Sequence, residues 1–140
     1  MKRNILFLLM LTVGISFGQT ANHAETMKIQ ANKAQIINDS VLRHVVMFKF
    51  KTGTSPAKIT EIENAFAALQ TKIPQIASYE WGLNNSPEGL NKGFTHCFFL
   101  TFRSEADRGI YLPHPDHKAF GALLGPILED VLVLDYWTKL

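Results

Sequence analysis

The sequence predicts an α+β domain of the ferredoxin-like type, a βαββαβ chain whose four strands form one antiparallel sheet. Three observations carry that expectation. From residue 41 onward the apolar spacing alternates between the period of a strand and that of a helix, in the order strand, helix, strand, strand, helix, strand. The strand segments concentrate Val, Phe and Thr, while the helical ones open on Ser55-Pro56 and Ser104-Glu105, residue types that cap and start helices. Strand segment 94–102 is largely apolar on both faces, and at least two strands present apolar residues on the face away from the helices, so helices covering one side of the sheet leave an apolar face that asks for a partner.

Residues 1–18 read as a secretory signal peptide. Lys2 and Arg3 form a positive start, residues 5–13 are an apolar run too short to span a bilayer, and Ser16 and Gly18 set small residues before a cut at Gln19. No cysteine lies near that cut, so lipid attachment there is excluded. The expected address is periplasmic or secreted, with no stable membrane insertion after cleavage. Removing Lys2 and Arg3 from the fourteen basic residues leaves twelve, against twelve acidic ones; without a basic stripe, nucleic acid is not expected as a partner. Cys97 is the only cysteine, so no intrachain disulfide can form and the core alone must hold the fold. Residues 19–40 are polar, rich in Ala, Asn, Gln and Lys, and lack an apolar stripe. They are expected to be a linker with a helical turn or two around 27–37, and with His23 in solvent.

The domain is expected to fill 41–140. In the first strand, 41–51, His44, Val46, Phe48 and Phe50 share one face, and Val45, Met47, Lys49 and Lys51 the other. Ser55 caps the first helix, Ile59, Ile62, Phe66, Leu69 and Ile73 mark its buried side, and Pro74 stops it. The second strand, 76–84, sets Ala77, Tyr79, Trp81 and Leu83 against Ser78, Glu80 and Gly82. A loop dense in Asn, Gly and Ser leads to the third strand, 94–102, with Phe94, His96, Phe98, Leu100 and Phe102 on one face. A helical segment capped at Ser104 carries Tyr111 and breaks at Pro113; Pro115 restarts it. Phe120, Leu123, Leu124, Ile127 and Leu128 give the restarted helix its apolar face, with a kink expected at Gly125-Pro126. Residues 131–138 form the fourth strand.

The densest group of proton-handling side chains is Tyr111-Leu112-Pro113-His114-Pro115-Asp116-His117. Together with Arg43-His44-Val45-Val46-Met47-Phe48-Lys49-Phe50, with the loop Ser86-Pro87-Glu88-Gly89-Leu90-Asn91-Lys92-Gly93-Phe94 and with the ending Leu128-Glu129-Asp130-Val131-Leu132-Val133-Leu134-Asp135-Tyr136, it resembles the stress-responsive α/β-barrel (Dabb) family over about residues 41–138. The resemblance implies a ferredoxin-like protomer that pairs into a dimeric α+β barrel. Most members of the family have no assigned reaction. A plant branch contains polyketide cyclases, which close a ring by aldol chemistry without metal or organic cofactor. In that branch the working groups are a histidine at the place of His117 and a tyrosine at the place of Tyr111, and further pocket histidines match His44 and His96.

The residue chemistry agrees with such roles. A neutral imidazole at His117 can take a proton next to a carbonyl, and the Tyr111 hydroxyl can hydrogen-bond the oxygen on which charge develops. Asp116 neighbours His117 in sequence and therefore points away from it on a helix, so it is not the orienting acid. His114 fits a capping role at the broken helix. His44 and His96 fall on the helix side of antiparallel neighbouring strands, roughly 15 Å apart at ~3.4 Å per residue. His114 and His117 lack a third ligand for a metal, and Cys97 faces away from His96 in mid-strand, where a buried thiol is inert. The expectation is thus a homodimer with a pocket for a small apolar or aromatic molecule between helices and sheet. His117 and Tyr111 are its catalytic residues, His44, His96, Phe48, His114 and Phe120 its lining, and neither metal nor cofactor is expected. The alternative, from another class, is a non-catalytic stress-related envelope protein that acts as a structural homodimer, its pocket filled by Phe and Leu side chains.

Overall fold

The computed structural model describes residues 18–38 and 40–139. The expected signal peptide lies outside the described residues except for Gly18. The chain divides into two units, Met1–Ile36 and Ile37–Leu140, each described by itself. α1 spans Gly18–Asn38 as one continuous helix of 21 residues, all but its last two in the first unit, where the sequence predicts only a turn or two. Residues 22–32 are all exposed, so this stretch of the helix offers no buried stripe for periodicity to detect. Its Ala, Gln, Lys, Glu and Met content favours helix through intrinsic propensity, which pattern reading does not weigh.

The second unit contains β1 (Ser40–Phe50), α2 (Pro56–Lys72), β2 (Ser78–Leu83), β3 (His96–Phe102), α3 (Glu105–Tyr111), α4 (Pro115–Leu124) and β4 (Leu128–Lys139). The antiparallel sheet has the order β2-β3-β1-β4, that of a ferredoxin-like fold. The caps form at the expected places: Ser55 accepts from the Lys58 amide, and Ser104 accepts from the Asp107 amide.

Strand alternation gives the sheet two unlike faces. On the helix side Phe48, Phe98, Leu100 and Phe102 from the central strands pack with Ile62, Phe66 and Leu69 of α2, Tyr111 of α3, and Phe120 and Leu124 of α4, all buried in one core. The other face carries Met47, Phe99, Leu132 and Leu134, away from α2, α3 and α4. Leu132 and Leu134 are 40% and 50% exposed in the protomer.

The end of α4 differs from expectation. Gly125-Pro126 does not kink the helix; it ends it. The Gly125 amide still reaches the Gly121 carbonyl, but Pro126 has no N–H with which to continue. Leu128, expected on the helix, instead opens β4, where it pairs with Phe50 beside an irregularity at Lys49/Phe50. β4 therefore has 12 residues and pairs along all of β1.

Candidate active site

A cavity of about 470 Å³ lies between α3, α4 and the helix side of β1 and β4. Its apolar wall comes from Phe48, Phe120, Leu124, Val131 and Val133, and its polar end from His44, Tyr111, His117 and Asp135. The local sequence explains this convergence. The prolines at 113 and 115 break what would be one long helix, so α3 ends on Tyr111 and α4 begins just before His117. The two rings then meet, with centroids 4.3 Å apart.

Each polar group has a defined state. The His117 Nδ1 lies 2.9 Å from the Leu112 carbonyl oxygen. A carbonyl can only accept, so Nδ1 is the donor in this contact, and in the neutral form of the ring Nε2 is the acceptor. Tyr111 is buried, in contact with the rings of Phe102 and His44. Burial, with Tyr79 adding to it, holds its phenol well above the usual tyrosine range, so at neutral pH it is a donor and not a base. Its hydroxyl has no hydrogen-bond partner among the described residues. His44, 5% exposed, sets its Nδ1 2.9 Å from Asp135 Oδ1, and Arg108 Nη1 lies 3.3 Å from the other carboxylate oxygen.

Five of the seven expected site residues thus line one cavity: His44, Phe48, Tyr111, His117 and Phe120. The other two stand elsewhere. His114 is not on the wall of this cavity; it caps α4, its Nδ1 accepting from the Asp116 amide at 3.2 Å. His96 faces Phe48 in the β1–β3 register, four residues along β1 from His44, a separation of about 14 Å at ~3.4 Å per residue. There its Nε2 pairs with Glu63 at 3.1 Å and its Nδ1 meets the Thr95 hydroxyl at 2.8 Å. It borders a separate hollow of about 480 Å³ at the end of β2 and β3, near Trp81, Asn84 and Cys97. Burial and, secondarily, Glu80 push the Cys97 thiol up, which keeps it protonated. Among the described residues no group of three or more His, Cys, Asp or Glu side chains could hold a metal ion.

Sequence reading missed Asp135 and Arg108. Asp135 carried a signal, as an acid with the same strand parity as the apolar Val131 and Val133. Its partner depends on the β1–β4 register, which places it opposite His44 and is not readable from one chain.

The sequence profile of the stress responsive A/B barrel domain (Dabb) matches residues 42–138. The chain belongs to this family. A Dabb relative from Arabidopsis thaliana, the stress-response A/B barrel domain-containing protein HS1, is 38% identical over 95 residues, covering 68% of this chain and 87% of the relative. Olivetolic acid cyclase of Cannabis sativa is 28% identical over 95 residues, covering 68% of this chain and 94% of the cyclase. Among solved structures, the hydroxynitrile lyase of Passiflora edulis superposes with a TM-score of 0.68 at 29% identity, covering 72% of this chain and 95% of the lyase. A protein of unknown function from Bacteroides fragilis, described as dimeric with a ferredoxin-like fold, superposes with a TM-score of 0.57 at 28% identity, covering 69% of this chain and 94% of its own.

Proposed function

We propose that this Dabb protein binds a small apolar or aromatic molecule in the cavity beside Tyr111 and His117 and acts on it by cofactor-free acid–base chemistry of the lyase or cyclase type. One observation carries the reading: the His117 ring, tied by Nδ1 to the Leu112 carbonyl, and the phenol of Tyr111 meet at the polar end of an otherwise apolar cavity. Both named enzymes among the relatives, the cyclase and the lyase, support the same class.

In the lyase direction His117 Nε2 takes the substrate hydroxyl proton. The oxygen's electron pair forms the carbonyl, the adjacent carbon–carbon bond breaks, and the departing carbanion is protonated. In the cyclase direction the same base takes a proton from the carbon beside a carbonyl, and the resulting enolate adds to a second carbonyl. In both directions Tyr111 donates to the oxygen that carries the charge. A cavity of about 470 Å³ weighs against the structural alternative, which requires a pocket filled by side chains.

The functional unit in this reading is a homodimer joined across the open sheet face. The exposed Leu132 and Leu134 on that face support it, as does the dimeric Bacteroides fragilis neighbour. The leader-like residues 1–18 support a periplasmic or secreted address. The test is release of aldehyde from an aromatic hydroxynitrile such as mandelonitrile. The protein is expected to accelerate it, and His117→Ala to reduce the rate at least ~10²-fold while the dimer stays folded. Equal rates with His117→Ala would remove His117 as the base, and no acceleration by the unaltered protein would remove the lyase reading.

A further inference from the structure

The polar end of the cavity holds a second imidazole, His44. Asp135 lies directly across from His44 in the β1–β4 register, and its Oδ1 meets His44 Nδ1 at 2.9 Å. Its Oδ2 meets Arg108 Nη1 at 3.3 Å. Arg108 sits three residues before Tyr111 on α3, so the helix face that offers Tyr111 to the cavity also offers Arg108 to the carboxylate. The chain of contacts is therefore Arg108, Asp135, His44, running from the rim to a ring that is 5% exposed.

We infer that Arg108 is a positioning residue. By sharing the Asp135 carboxylate it fixes the His44 proton on Nδ1 and leaves His44 Nε2 as a second acceptor at the cavity. The electrostatic argument compares two cases. A carboxylate facing a buried imidazole with no other cation draws a second proton onto the ring, because the ion pair is favoured over a lone buried charge. A guanidinium on the same carboxylate supplies the positive charge itself, so the ring needs only one proton, the one that Asp135 accepts. Among the described residues, Arg108 is the permanently charged cation on the Asp135 carboxylate. From β4 the charged group facing His44 is Asp135; from α3 they are Arg108 and the neutral phenol of Tyr111. From α4, His117 shares the cavity with its Nδ1 tied to Leu112, and β3 contributes the apolar Leu100 and Phe102. Tyr79 of β2 stands two strands away, and Arg43 of β1 is on the opposite face, against Phe99.

The inference deepens the proposed acid–base chemistry and rests on it only where turnover is concerned. The first test needs no substrate. Nitrogen NMR of ring-labelled histidines, with His44 assigned by comparison with His44→Gln, is expected to report at neutral pH a His44 that is neutral and protonated on Nδ1. In Arg108→Met the His44 signals are expected to move to the imidazolium pattern, and in Arg108→Lys to return toward those of the unaltered protein. A His44 that is imidazolium, or protonated on Nε2, in the unaltered protein overturns the inference. So does a His44 pattern identical in Arg108→Met. With mandelonitrile as the probe, Arg108→Met is expected to lose about 10²-fold in rate at neutral pH, with the loss shrinking as pH rises. A merely structural arginine would give a loss independent of pH. If the NMR pattern behaves as expected and the unaltered protein still does not cleave the probe, the Arg108–Asp135–His44 device stands and the lyase reading falls.

Discussion

Tyr111→Phe separates the two jobs a buried tyrosine can do. The side chain is 1% exposed and its ring touches Phe102, His44 and His117 at centroid distances of 5.1, 5.8 and 4.3 Å. Phenylalanine keeps all of that packing. The hydroxyl it removes has no hydrogen-bond partner among the described residues, so no protein group is orphaned. Folding stability is therefore expected to change by less than about 1 kcal/mol, whereas Tyr111→Ala, which empties the ring's site, costs about 3–5 kcal/mol. If the hydroxyl stabilises charge on the reacting oxygen, its loss lowers the rate by about 10²–10³-fold, or ~2.7–4 kcal/mol of barrier. The assays are urea denaturation and mandelonitrile cleavage on the same preparations. A Tyr111→Phe protein that cleaves at the full rate would refute the donor role. One that loses several kcal/mol of stability would show that the hydroxyl serves the fold.

Other outcomes follow from the same geometry. Leu134→Glu places a carboxylate on the open sheet face and, by two-fold symmetry, twice in a dimer interface, at several kcal/mol per buried ion; sedimentation should find a monomer with unchanged secondary structure, and a persistent dimer would relocate the interface. The Tyr79 hydroxyl is buried without a partner among the described residues, so Tyr79→Phe is expected to raise stability by about 1 kcal/mol, read as a higher urea midpoint. Tyr79 and Tyr111 both have phenols raised in the fold by burial, so their contribution to stability is complete below the ordinary phenol value of 10.0 and is lost as pH rises from there toward the folded values. Alkaline unfolding should accordingly be weaker in Tyr79→Phe than in the unaltered protein, and equal pH dependence of the two would count against the burial effect.

Much of this arrangement was legible because it depends on local chemistry. Alternation placed His44, Phe48 and Phe98 on the covered face, and Ser55 and Ser104 announced their helices, since period and cap are properties of a few neighbouring residues. The paired prolines located the break that brings Tyr111 to His117. Pairing across the sheet was not legible. Asp135 became a partner of His44 only through the β1–β4 register, and Arg108 only through the packing of α3 above it. The extent of α1 was missed for another reason: residues 22–32 are exposed all round and leave no period to read.

The break between α3 and α4 also accounts for the orientation of the His117 imidazole. In an uninterrupted helix the Leu112 carbonyl would accept from the amide of residue 116. Pro113 and Pro115 have no amide to offer, and the Asp116 amide is already taken by His114 Nδ1 at 3.2 Å. The Leu112 oxygen is thereby left for a side chain, and His117 Nδ1 reaches it at 2.9 Å. His114 thus acts on the site without touching the cavity. Its cap withdraws the backbone donor of residue 116 that would compete for Leu112, and that withdrawal leaves the carbonyl to His117 Nδ1. The same two prolines, a feature that would destabilise an ordinary helix, provide both the meeting of Tyr111 with His117 and the free Leu112 carbonyl that the proposed base needs to hold its Nδ1.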